Sequence, residues 1–113
     1  MDRFGASLIK QLESLKELPS VPALQAGAKV YFDEMQRLTP VDEGDLLASE
    51  EVKVENDTVL LYAGTDHAIP VEFGTVYMEA QSYMRAALDT KKHEAENAIV
   101  KAMEAEIRKA VNG

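Results

Sequence analysis

The sequence predicts an α+β fold, in the order helix, helix, strands, helix. Apolar residues recur at helical spacing over 24–38 and again over 88–110, whereas over 52–63 they follow the period-two pattern of strands. The polar pair Asn56-Asp57 interrupts that central stretch as the turn of a β-hairpin would.

The first element is an amphipathic helix over residues 1–18. Phe4, Leu8, Leu12 and Leu15, with Ile9 beside them, form its apolar side, and Lys10, Gln11, Glu13, Ser14 and Lys16 its polar side. It stops near Leu18 because Pro19 disfavours helical geometry at the residue before it. Ser20 is placed to cap a second helix, with Pro22 tolerated in the first turn. Leu24, Ala28, Tyr31, Met35 and Leu38 make its core-facing stripe, and Pro40 ends it. Tyr31, Phe32 and Met35 read as core.

Residues 40–45 form a turn, and Leu46-Leu47-Ala48 after it suits a single helical turn. Val52 and Val54 alternate with Lys53 and Glu55, and residues 58–63 form the second strand. A two-residue turn at Asn56-Asp57 sets the register: Val54 opposite Val59, Val52 opposite Leu61. One face is then apolar on both strands. Leu60 and Tyr62 point to the other face, opposite Lys53 and Glu51. A sheet with one wet face has no need of them, so a neighbouring subunit or the first helix is expected to cover that side. Residues 66–74 read as a loop or short helix around Pro70, and residues 76–78 as a third strand or an extended connector. A long helix follows from about 82 to 111, with Leu88, Ala95, Ile99, Met103, Ile107 and Ala110 as its stripe. The expected organisation is one domain over 1–113, its core over 20–111, with the helix over 1–18 able to move apart from it.

Composition narrows the function. A chain of 113 residues with 46% apolar content can bury a core of aliphatic side chains, since tryptophan is absent and aromatics are few. No cysteine is present, which removes disulfides, thiolate metal sites and a cysteine nucleophile. No apolar run approaches the roughly 20 residues that span a bilayer, and residues 1–10 carry Asp2 and Arg3 and no long apolar run of the kind a signal peptide needs, so a soluble cytoplasmic product without membrane partners is expected. The formal charge is −8. It is concentrated between Tyr31 and Asp66, where ten acidic side chains stand against Arg37 and Lys53 alone. Such a centre repels phosphate backbones, so direct nucleic-acid binding is not expected; it suits either solubility or docking to a basic partner.

No reactive constellation emerges. His93 lies on the polar side of the last helix. His67 follows Asp66, but a His–Asp pair needs a nucleophile and an oxyanion site, and neither Ser49 nor Ser82 has a nucleophile-elbow context. Asp42, Glu43 and Asp45 cluster without the ligand order of a calcium loop. The expectation is a protein with no enzymatic activity, no metal and no cofactor. Glu72 lies between Val71 and Phe73, which suggests partial burial, and a buried carboxylate needs a partner; Arg85 at the start of the last helix is the candidate. Gly44 and Gly74 are placed to supply backbone conformations that other residues avoid.

Three segments carry a resemblance. Leu38-Thr39-Pro40-Val41-Asp42-Glu43-Gly44-Asp45-Leu46 resembles a P-V-D-T-G-x-L turn, in which Pro40, Asp42, Gly44 and Leu46 match. Ala68-Ile69-Pro70-Val71-Glu72-Phe73-Gly74-Thr75 resembles A-x-x-V-E-F-G-T. Ala80-Gln81-Ser82-Tyr83-Met84-Arg85-Ala86-Ala87-Leu88 resembles A-Q-P-F-L-R-P-A-L. Together, in this order, they resemble the small tail-completion, or head–tail joining, proteins of long-tailed siphophages, the gene-ten-product family typified by coliphage HK ninety-seven. Asp45 stands where that family often has a basic residue, Glu79, Ser82 and Ala86 replace prolines, and Val76 and Tyr77 replace basic residues. The resemblance implies a structural subunit that oligomerises as a ring at the head–tail junction of the virion, assembled in the host cytoplasm. Its partners would be itself and the tail tube, tail terminator or neck proteins. Phe4, Leu8, Leu12, Leu60 and Tyr62 are the candidate interface. The competing reading is a cytoplasmic adaptor or regulator that binds its partner through amphipathic helices, and a hydrolase using His67 is a distant third.

Overall fold

The computed structural model describes residues 19–40, 44–64, 67–74 and 82–112. The expected helix over 1–18, and with it Phe4, Leu8 and Leu12, lies outside them.

Helix α1, Val21–Leu38, begins where the sequence places it. Ser20 is extended (φ −65°, ψ 156°), and its hydroxyl accepts the Ala23 N–H at 3.2 Å, so one of the helix's orphan donors is satisfied. At the other end the Thr39 N–H donates to the Met35 carbonyl at 3.0 Å before Pro40 stops the chain. The stripe Leu24, Ala28, Tyr31 and Met35 is buried, and Ala23, Gly27 and Glu34 join it. The short helix α2, Gly44–Ser49, follows.

The sheet is antiparallel, with β1 (Glu51–Glu55), β2 (Thr58–Ala63) and β3 (His67–Pro70) in that spatial order. Asn56 (φ 49°) and Asp57 (φ 66°) both take left-handed backbone, the signature of a two-residue type I′ hairpin. The resulting register pairs Val54 with Val59 and Val52 with Leu61, as the turn predicts. Central β2 is apolar on both sides of the pleat: Val59, Leu61 and Ala63 face inward and are buried, while Leu60 and Tyr62 face outward.

The third strand differs from expectation. It is formed by His67–Pro70, within a stretch that reads as loop, and residues 76–78 lie outside the described set. Proline misleads here for a physical reason. β3 is an edge strand, and Pro70 sits at a position whose missing N–H faces away from the ladder.

Helix α3, Ser82–Asn112, runs antiparallel to α1. The Ser20 hydroxyl donates to the Glu106 carboxylate (2.7 and 2.9 Å to its two oxygens), and seven residues further along α1, Gly27 lies against Ile99. At about 1.5 Å rise per residue, the 31 residues of α3 account for most of the 50 Å long axis. Its stripe is buried from Met84, Ala87 and Leu88 through Ala95, Ile99 and Met103, with Ile107 half-buried. Ala110 is exposed, so the stripe ends one turn earlier than its spacing suggests. α1 lies on β1 and β2, α3 lies along α1 and also contacts the sheet, and the helices and sheet feed one apolar cluster. Each fully buried large side chain, such as Met35, Leu61 or Met84, contributes roughly 1.5–3 kcal/mol through removal from water.

Candidate functional site: a pinned bend and an outward sheet face

The chain leaves β3 through a bend whose anchors alternate. Val71 is 1% exposed, and its N–H donates to the Val59 carbonyl at 2.8 Å, which prolongs the β2–β3 ladder by one bond. Phe73 packs against the core from its edge. Glu72, between them, is exposed. The partial burial expected from its apolar neighbours therefore does not occur, because strand-like alternation carries 71 and 73 inward and turns 72 out.

Arg85 is also exposed, and among the described residues no ion pair joins it to Glu72. The bend meets α3 through its backbone instead. The Gly74 N–H donates to the Glu96 carboxylate at 2.9 Å. Gly74 takes φ +80°, a conformation costly to any residue with a Cβ. Gly44 does not have left-handed backbone; it opens α2 with no heavy atom within 4 Å of where a Cβ would stand. The position that needs glycine on this side is Gly64, at φ +76°, where β2 turns toward β3. Nothing in the sequence distinguishes these three glycines, since each follows or precedes polar turn residues.

In the first motif, Pro40 is exposed, Leu46 is half-buried, and Asp42 lies outside the described residues. The group that organises this corner is Glu50, which belongs to none of the three motifs. It is 5% exposed. Its carboxylate accepts from Gln36 Nε2 at 2.5 Å and lies 2.5 Å from the Thr39 hydroxyl, while Gln36 Nε2 also reaches the Leu47 carbonyl at 3.2 Å. Ser49 adds a bond on the far side, accepting from the Gly64 N–H at 3.0 Å. The end of α1, all of α2 and the end of β2 are thus held as one polar corner. A signal did exist: Glu50 has the parity of Val52 and Val54, so strand alternation aims it inward while Glu51 is aimed out.

The outer sheet face carries charge on β1 and apolar surface on β2. Leu60 and Tyr62 are half-buried. Lys53 Nζ stands 5.1 Å from the Tyr62 ring centroid and 3.3 Å from Glu51 Oε1. Its pKa is raised, first by the hydrogen bond to Glu51 and its charge, then with help from Tyr62 and Glu55. The Tyr62 hydroxyl donates weakly to Glu55 at 3.4 Å. Lys53 thus spans the aromatic ring and two carboxylates.

His67 lies in β3, and His93 is exposed on α3. Among the described residues no cluster of histidine, aspartate and glutamate could hold a metal ion, and no helix is long and apolar enough to cross a membrane.

No curated protein and no solved structure matches the chain. A family model does, over residues 6–74, and its description reads "Bacteriophage HK97-gp10, putative tail-component". The match takes in α1, α2, the whole sheet and the Val71–Gly74 bend; the third motif, at 80–88, lies beyond it. Because more than half of the chain is matched, and the first motif and all of the second but Thr75 fall inside that span, the protein belongs to the HK97-gp10-like family of bacteriophage tail components, structural proteins of the virion.

Proposed function

We propose that this tail component completes the tail and joins it to the head during virion assembly, as a ring of identical subunits at the head–tail junction. The observation that carries the reading is the family match over 6–74. A second feature agrees with it: an outward sheet face on which Leu60 and Tyr62 stand beside Ala68 and Pro70 of β3. An apolar strip of this kind gains free energy when another surface covers it. Head-to-tail contacts whose rotation closes give rings, and the tail tube, tail terminator or neck proteins are the further partners. Assembly takes place in the host cytoplasm, and the product resides in the virion.

The test is deletion of the gene followed by electron microscopy of the lysate. Full heads and separate tails that fail to combine are expected. Normal infectious particles, or a lysate with no tails at all, would place the protein at another step. Complementation with Leu60→Glu or Tyr62→Glu examines the interface: both are expected to fold, to fail in assembly, and to lower the oligomer mass seen by light scattering.

A further inference from the structure

We infer that the edge of β1, on which no described residue pairs, is a docking site for an extended segment of a different protein, one in which basic, apolar, acidic, apolar and basic side chains follow one another. The inference concerns an edge rather than the outward face, and it does not rest on the head–tail reading.

Two geometries settle which backbone groups that edge presents. The type I′ turn makes Glu55 and Thr58 the hydrogen-bonded closing pair, so Glu51, Lys53 and Glu55 direct their backbone groups to β2. The Val71 N–H bonded to the Val59 carbonyl shows the same parity from the other side: the odd residues of β2 serve β3. Val52 and Val54 therefore direct their N–H and C=O groups away from the sheet. Among the described residues, nothing bonds to them from that side.

The two edges of the sheet are not equivalent. The outer edge of β3 presents Ala68 and Pro70, and Pro70 has no N–H to give. β1 has neither proline nor bulge, and its register is continuous over all five residues. Val54, at 45% exposure, is one of two exposed large apolar side chains in the described protein, and it stands on this edge. An added strand would cover it.

The side chains select the occupant. Glu51, Lys53 and Glu55 line one side of the strand, in the order acidic, basic, acidic. A second copy pairing in the register of fullest overlap would set Lys53 against Lys53 and Glu51 against Glu55, and like charges directly opposite one another are destabilising. A strand patterned basic, acidic, basic would pair favourably at all three places, in either direction. The surrounding segment, with ten acidic side chains against two basic ones between Tyr31 and Asp66, draws the same kind of partner from a distance.

The experiment titrates the full chain, labelled with ¹⁵N, with two peptides: acetyl-Lys-Val-Glu-Val-Lys-amide and acetyl-Glu-Val-Lys-Val-Glu-amide, the second being the sequence of β1 itself. The first is expected to shift the Val52 and Val54 amides and slow their exchange at millimolar concentration. The second should bind about tenfold more weakly, the effect expected from inverting two or three cross-strand charge pairs. Swapping the charges of β1 (Glu51→Lys, Lys53→Glu, Glu55→Lys) should reverse the preference, and Val54→Pro, which removes one outward donor, should weaken both. No response up to about 10 mM, equal or better binding of the β1 sequence, or shifts centred on Ala68 would each overturn the inference. A response that survives Val54→Pro would do so as well.

Discussion

Ile99 occupies the space that a side chain on Gly27 would need. A Cβ at Gly27 would lie 2.7 Å from Ile99 Cγ1, 2.8 Å from Ile99 Cδ1 and 3.3 Å from the Ala95 carbonyl oxygen. The two long helices approach through this gap, and the gap exists because residue 27 has no side chain.

Gly27→Ala tests how far the packing depends on it. In an isolated helix the change would stabilise by about 1 kcal/mol. Here the added methyl has to displace Ile99 or separate the helices, and overpacking of this kind costs roughly 1–3 kcal/mol. Urea unfolding is expected to show a net loss. In an Ile99→Ala background the same change should become neutral or stabilising, because the clash is gone and the helical preference remains. A Gly27→Ala protein more stable than its parent would contradict the close approach.

The Glu50 corner predicts a contrast between two substitutions. Glu50→Gln keeps an acceptor for Gln36 and supplies a donor for Thr39, so its cost should stay below about 1 kcal/mol. Glu50→Ala leaves both partners in a buried site, which costs about 1–3 kcal/mol. Chemical denaturation of the two variants measures the difference, and equal losses would mean that the corner is held by packing alone.

The bend after β3 is expected to depend on Val71 far more than on Glu72. Truncating Val71 to alanine removes two buried methyl groups and leaves a void, about 2–3 kcal/mol in sum. Glu72→Ala, on the exposed side, should change stability by no more than about 0.5–1 kcal/mol. Thermal melts of both proteins decide. If Glu72→Ala also fails to assemble virions while folding normally, its carboxylate acts on a partner rather than on the fold.

Acid sensitivity should run through Glu34. Arg37 grips its carboxylate with two bonds, Nε to Oε1 at 2.8 Å and an Nη2 to Oε2 at 2.6 Å. That hydrogen bonding, opposed by desolvation and aided by the charges of Arg37 and Lys91, holds the Glu34 carboxyl below the usual glutamate value. A group whose pKa is lower folded than unfolded stabilises fully above the unfolded value and loses that contribution as pH falls through the folded one. The stability gap between the parent and Arg37→Gln should therefore be widest at neutral pH and close toward about pH 2. A gap that stayed constant over this range would assign the arginine's effect to packing of its stem.

Some of this protein was written locally. The helix cap at Ser20, the stripe of α1, the hairpin at Asn56-Asp57 with its register, and the length of α3 all follow from neighbouring residues, because caps, turns and periodicities are set within a few positions along the chain. The family motifs are likewise strings of adjacent residues. Other features were decided only when distant segments met. That Gly27 rather than Gly44 is the glycine under steric pressure depends on where Ile99 comes to lie. That the bend is tied to α3 by Gly74 and Glu96, not by Glu72 and Arg85, depends on which way each residue faces after a strand that proline made hard to see. That Glu50 is buried while Glu51 is not depends on the sheet having a covered side. Short-range geometry can be read from one stretch of chain, whereas burial is a property of two surfaces, and only the folded molecule brings both together.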